Sequence, residues 1–146
     1  MLSDNLKVLL ASTQSFAIKS QNFHWNVEGS NFPQYHAFFD TLYGDVSASI
    51  DPIAEYFRIL GHYTPGSLKR YSELSIIEDQ TKIPRAELMF QESLQDCETM
   101  LQLVTAMFDE AADEKQHGIE NYMAELQDLY GKKAWFIRSV LKRERE

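Results

Sequence analysis

Apolar residues recur in steps of three and four along four segments of this chain, and this periodicity constrains its fold more than any other feature. The stripes cover residues 6–27, 38–60, 90–111 and 119–141. Such spacing places apolar side chains on one face of a helix with 3.6 residues per turn. Most of the glycines and prolines lie between the stripes, so the sequence predicts long helices separated by turns.

We predict four long helices, at 3–28, 32–61, 85–112 and 118–143, and a short helix around Ser67–Leu74. In the third long helix the stripe consists of Phe90, Leu94, Cys97, Leu101, Val104, Phe108 and Ala111. The connection at 62–84 is long enough to cross the bundle, as is needed when helices two and three run parallel. The prediction is one all-α domain over residues 1–146, a ferritin-like four-helix bundle with a short crossover helix between helices two and three.

Composition excludes several classes of protein. The chain has 22 acidic and 14 basic residues, a net charge of −8 and a pI near 5.0, which disfavours binding nucleic acid by bulk charge. Its apolar runs are too short to span a membrane, and its start has no signal pattern. The lone Cys97 excludes an intrachain disulfide and a cysteine-based zinc site. We therefore expect a cytoplasmic protein with no membrane partner.

Five residues of the first two helices are candidate metal ligands: His24, His36, Asp40, Asp51 and Glu55. His36 and Asp40 lie four residues apart and share a helix face, as do Asp51 and Glu55. The step of eleven residues from Asp40 to Asp51 corresponds to about three full helical turns, so both pairs lie on the same side of helix two. They are also about 16.5 Å apart along its axis, too far for one ion to bind both.

This separation leaves two interpretations. The pairs are separate features, with the acidic pair a solvated face and His24 a hydrogen-bonded core residue. Alternatively, a second copy of helix two runs antiparallel across the first, so that each pair meets the other pair of its partner. Gly44, Ser47 and Ala48 lie near the crossing point and are small enough for two backbones to approach closely. Mixed imidazole and carboxylate ligands suit iron, manganese or zinc better than calcium.

One run of sequence identifies a family that the chain resembles. Residues 24–32, His-Trp-Asn-Val-Glu-Gly-Ser-Asn-Phe, resemble the HWNVxGxNF signature of Dps, the ferritin-like proteins of DNA protection during starvation. His36, Phe39-Asp40 and Tyr43 follow at the family's HxxxFDxxY positions, and Asp51 with Ala54-Glu55 at DxxAE. Leu74-Ser75-Ile76 and Lys133-Ala134-Trp135 extend the similarity over nearly the whole chain.

The resemblance implies a hollow shell of twelve subunits that oxidises Fe(II), preferentially with hydrogen peroxide rather than oxygen, and stores the ferric product as a mineral. It implies that iron binds His24, His36 and Asp40 of one subunit together with Asp51 and Glu55 of its two-fold partner. Trp25 stands beside this site, either as an acceptor of stray oxidising equivalents or as an ordinary packed aromatic. The alternative is a Dps-like shell with an impaired site, acting as a structural or DNA-associated protein.

Pro52 departs from a regular helix, because it lacks an amide hydrogen and crowds the carbonyl of Ala48. We expect a kinked but continuous helix; the alternative is a helix restarting with Asp51 as its N-cap. Glu114 and His117 form the ExxH pattern of di-iron bundles, but a single copy beside a turn favours a solvated turn. In Dps proteins this region lines a pore for iron, which would use Asp113, Glu114 and Glu120.

DNA binding is the second activity that the resemblance implies, and the charges of this chain oppose it. Lys7 and Lys19 are the only lysines or arginines in the first predicted helix. The C-terminal residues 142–146 add three cations and two carboxylates. Twelve such chains would carry about −96 charges, which repel duplex phosphates. We predict weak or absent DNA binding.

Overall fold

Six α-helices make up the computed structural model of the protein, which describes residues 1–142. They are α1 (Leu2–Asn26), α2 (Phe32–Ala48), α3 (Ile50–Ile59), α4 (Leu68–Leu74), α5 (Ala86–Asp113) and α6 (His117–Leu141). The predicted all-α, ferritin-like four-helix bundle is confirmed, with α2 and α3 together forming its second rod. Position 143, the predicted end of the last helix, and the charged residues that follow lie outside the described residues.

The helices pack as two hairpins, α1 against α2 and α3, and α5 against α6. The crossover between α3 and α5 carries α4, which packs against α1. The backbone amide of Ile76 donates to the Ser12 hydroxyl at 3.0 Å, and Ile77 is buried, so the crossover is fastened to the bundle. Every helix within residues 1–142 is too short or too polar to span a bilayer.

An aromatic cluster fixes α1, α2 and α5 where the candidate ligands lie. Phe23 packs edge-on against Phe39 at 5.6 Å, and the Phe39 ring lies 4.8 Å from Phe90. All three rings are buried, and each contributes about 1.5–3 kcal/mol of burial free energy. His24 and Asp40 directly follow Phe23 and Phe39 in sequence. The core contact therefore holds these two polar residues close together at the edge of the bundle.

The second predicted helix is interrupted at Ser49, between α2 and α3. Ser49 keeps right-handed helical angles (φ −85°, ψ −11°), its amide and hydroxyl both donate to the carbonyl of Val46, and its own carbonyl accepts from Ile53. The break lies three residues before Pro52, whose missing amide leaves the Ala48 carbonyl without its usual helical partner. The predicted kinked but continuous helix is therefore divided in two at this one residue. The alternative of Asp51 as the N-cap is wrong, because Ser49 holds that position.

Tyr56 anchors α3 to the start of α6. Its hydroxyl donates to the carbonyl of Gly118 at 3.3 Å, and its ring lies 5.9 Å from Tyr122. Burial and the nearby charge of Glu125 raise the pKa of Tyr56. Burial, Tyr56 and Glu125 raise the pKa of Tyr122 to about 12. Since Tyr56 directly follows Glu55, the Tyr56–Gly118 hydrogen bond helps to fix the position of this candidate ligand on α3.

Candidate metal centre

His24 of α1 and His36 of α2 form reciprocal hydrogen bonds, and we call this pair the histidine clasp. Nδ1 of His24 lies 2.8 Å from the carbonyl oxygen of His36, and Nδ1 of His36 lies 2.7 Å from the carbonyl oxygen of His24. Because a carbonyl only accepts, each Nδ1 carries the hydrogen, and the Nε2 of each neutral ring keeps a free lone pair. The two rings stack at a centroid distance of 4.0 Å. This is the tautomer and fixed orientation that metal-binding histidines adopt.

Asp40 brings a carboxylate to the histidine pair. Its Oδ1 lies 3.7 Å from Nε2 of His24, and its side chain is 68% exposed. The structure thus brings three of the five predicted ligands together. Within residues 1–142, however, no three His, Cys, Asp or Glu side chains are arranged closely enough to hold an ion. His24, His36 and Asp40 are therefore neighbours without forming a metal-binding cluster among these residues.

Asp51 and Glu55 are not brought to the histidine pair within one chain. Both are exposed on α3, on the far side of the break at Ser49. Gly44 and Ala48, between the two halves, are also exposed, and a Cβ added at Gly44 would meet nothing within 4 Å. The surface between the histidine pair and the acidic pair is therefore exposed and carries small side chains.

Comparison with known proteins identifies the family. The ferritin-like domain family matches residues 3–146. DNA protection during starvation protein 2 of Bacillus anthracis is 29% identical over 123 residues, which are 84% of each chain. The Dps structure of Staphylococcus aureus is 28% identical, covers 98% of this chain and 96% of its own, and superimposes with a TM-score of 0.94. This chain belongs to the Dps family of the ferritin-like superfamily.

A third Dps protein, from Vibrio cholerae O1, is described as a member of a broad superfamily of ferritin-like diiron-carboxylate proteins. It is 25% identical to this chain, covers 97% of it and 89% of its own length, and has a TM-score of 0.92. In this Dps-family chain, three of the residues that resemble the Dps motifs, His24, His36 and Asp40, are neighbours at the α1–α2 hairpin.

Trp25 does not pack into the bundle of this Dps chain. Its side chain is 64% exposed and lines an open groove with Val27, Phe32 and Ile83. The interpretation of Trp25 as an ordinary packed aromatic is therefore wrong within one chain. Trp25 directly follows His24 in sequence, and its groove is lined by none of the candidate ligands.

The ExxH pattern at the α5–α6 turn does not form a metal pair. Glu114 caps α5 and accepts a hydrogen bond from the amide of Leu2 at 3.3 Å, whereas Nδ1 of His117 lies 2.8 Å from Oε1 of Glu120. Glu114 and His117 are exposed, as expected for a solvated turn. The pore role of Asp113, Glu114 and Glu120 stays a prediction.

Lys19 is buried, which sequence reasoning did not predict. It counted only as one of the two basic residues of the first predicted helix, and its side chain is 4% exposed. Its ammonium lies 2.9 Å from Asp96 and 3.4 Å from Glu92, and donates to the carbonyl of Glu78 at 3.1 Å. Burial raises the pKa of Asp96, while the hydrogen bond and charge of Lys19 act in the opposite direction. This ion pair ties α1 to α5 and to the crossover, and its only sequence signal was a lysine beside the apolar stripe.

Proposed function

We propose that this chain is the subunit of a ferroxidase and iron-storage shell. It oxidises Fe(II), preferentially with hydrogen peroxide, and retains the ferric product inside a hollow assembly of twelve copies. The observation that carries the proposal is the histidine clasp: two imidazoles with Nδ1 fixed on backbone carbonyls, and Nε2 of His24 beside Asp40. Imidazole and carboxylate together bind Fe(II) and stabilise Fe(III) at neutral pH.

The complete centre is shared between two chains related by a two-fold axis. His24, His36 and Asp40 of one chain meet Asp51 and Glu55 of the partner subunit, and the same contact occurs a second time because such an interface is isologous. Two features support this arrangement. The two ligand groups are about 16.5 Å apart along one rod, and the midpoint between them is formed by exposed small residues.

The chemistry follows from a site that binds iron as substrate. Hydrogen peroxide accepts two electrons, one from each of two Fe(II) ions, and with two protons it yields two water molecules and two Fe(III) ions. Pairing the two oxidations avoids the one-electron step that releases hydroxyl radical. We assign the reduction of a stray oxidant to the indole of Trp25, which is exposed and directly follows His24 in sequence.

DNA binding is weak or absent in this proposal. The net charge of −8 per chain persists in the assembly, and the burial of Lys19 in an ion pair removes one of the two cations of α1 from the surface. Plasmid mobility in a gel should be unchanged at moderate salt. A stable complex under those conditions would show that DNA association is part of the function.

The test is an anaerobic Fe(II) titration followed by a hydrogen peroxide pulse, with ferric absorbance and particle size recorded together. We expect rapid oxidation of about two Fe(II) per peroxide in a soluble particle of about twelve chains. His36→Ala should abolish the rapid phase, whereas His62→Ala, which removes an exposed histidine after α3, should retain it. An assembled shell with only background oxidation would refute the ferroxidase proposal.

A further inference from the structure

We propose that Phe32 is a positioning residue of the metal centre, whose ring holds the histidine clasp in its metal-binding orientation. The inference rests on the proposed function of that site. Phe32 has no group that binds a metal, and it lies outside the candidate ligand set. Its role is to stack on His36 and so to act through it.

Three rings form a continuous stack at the start of α2. The centroids of Phe32 and His36 are 5.0 Å apart with 26° between the planes, and those of His36 and His24 are 4.0 Å apart with 17°. His36 therefore has two stacked ring neighbours. Its Nδ1 bond to the His24 carbonyl sets where one edge of the ring points, and the two stacked neighbours set its plane. Rotation of the imidazole would have to break both stacks and that bond.

The local sequence builds this stack. Gly29 adopts φ +126°, which side-chain-bearing residues rarely reach, and its carbonyl accepts from the Phe32 amide at 3.1 Å. That turn makes Phe32 the first residue of α2, and His36 follows four residues later on the same helix face. Phe32 remains 41% exposed, so burial in the core does not explain its position. The contact that its ring makes with His36 does.

The test compares Phe32→Leu, which keeps an apolar side chain but removes the ring, with Phe32→Tyr, which keeps the ring. Ile83→Ala is the matched control, because Ile83 lines the same groove and is exposed. The probe is Co(II) alone, which does not undergo the iron reaction and reports its ligand geometry through its visible absorption. Phe32→Met runs in parallel and provides the ring-less comparison if the leucine variant does not assemble.

We expect the ring-less variants to weaken Co(II) binding by about threefold to tenfold and to change the visible spectrum. Phe32→Tyr and Ile83→Ala should bind as the unaltered protein does. Unchanged Co(II) affinity and spectrum in the ring-less variants would overturn the inference, as would an equal loss in Ile83→Ala. Failure of the proposed function looks different: the unaltered protein and His36→Ala would then bind Co(II) alike.

Discussion

Mixing two inactive variants should restore activity if the metal centre is shared between chains. His36→Ala removes an imidazole from one half of each centre, and Asp51→Ala removes a carboxylate from the other half. Each variant assembled by itself should be inactive, because every centre would lack one ligand. In a mixed shell, a centre is intact when its histidine half comes from an Asp51→Ala chain and its carboxylate half from a His36→Ala chain.

The recovery can be calculated from the two-fold arrangement. With equal amounts and random pairing, each half of a centre is intact with a probability of about one half, so about one quarter of the centres recover. If all ligands of a centre came from one chain, mixing would recover none. The matched control mixes unaltered protein equally with the double variant His36→Ala/Asp51→Ala. Shared centres then retain about one quarter of the activity, and unshared centres about one half.

The assay mixes unfolded chains in known ratio, refolds them, isolates particles of the assembled size and measures ferric product per chain after a peroxide pulse. Activity should vary with the mixing ratio and be greatest at equal amounts. Zero recovery in the mixture of single variants, together with half activity in the control, would refute the shared centre while leaving the ferroxidase activity intact.

Three further predictions concern stability and assembly. Asp96→Ala should lower the free energy of unfolding, measured in urea, by about 3 kcal/mol because it leaves the buried Lys19 ammonium without its nearest partner. The double variant Lys19→Met/Asp96→Leu should lower this free energy by less, because it leaves no unpaired charge. Equal decreases in the two variants would contradict this. Because the pKa of Tyr122 is raised from 10.0 to about 12, its contribution to stability is complete below pH 10 and is lost as the pH rises towards 12. Tyr122→Phe should therefore show a smaller decrease in melting temperature between about pH 10 and about pH 12 than the unaltered protein. Gly44→Leu should block pairing of the rods without unfolding the chain, because a Cβ added at Gly44 meets nothing within 4 Å in one chain. Ala106→Leu on the exposed face of α5 should assemble normally in sedimentation. Normal assembly of the Gly44 variant would argue against the antiparallel contact.

Local sequence patterns predicted most of the fold and the grouping of His24, His36 and Asp40. The helices begin and end within two residues of the predicted bounds wherever the structure describes both, apart from the break at Ser49. Helical spacing alone placed His36 and Asp40 on one face, and the structure brings His24 to both of them. These features depend on residues close in sequence or on a short hairpin, which periodicity describes well.

The features that sequence reasoning missed depend on contacts between distant segments. The partners of Lys19 come from α5 and the crossover, so its burial could not be read from α1. In α5 the predicted stripe included Leu101 and Phe108, yet Met100 and Met107 are fully buried and those two lie at the rim. A shift of one position along a helix rotates its face by about 100°, and only packing against α6 decides between the two.

The proposed assignment of Asp51 and Glu55 to the partner side depends on symmetry between two chains, which the structure of one chain does not display. Anomalous diffraction at the iron edge from crystals soaked anaerobically in Fe(II) tests this most directly. The account predicts iron bonded at about 2.1 Å to Nε2 of His24 and His36 and to a carboxylate oxygen of Asp40. From across the two-fold axis, it predicts bonds to carboxylate oxygens of Asp51 and Glu55 of the partner subunit. Iron held by side chains of one chain alone, or iron absent from the histidine clasp, would contradict it.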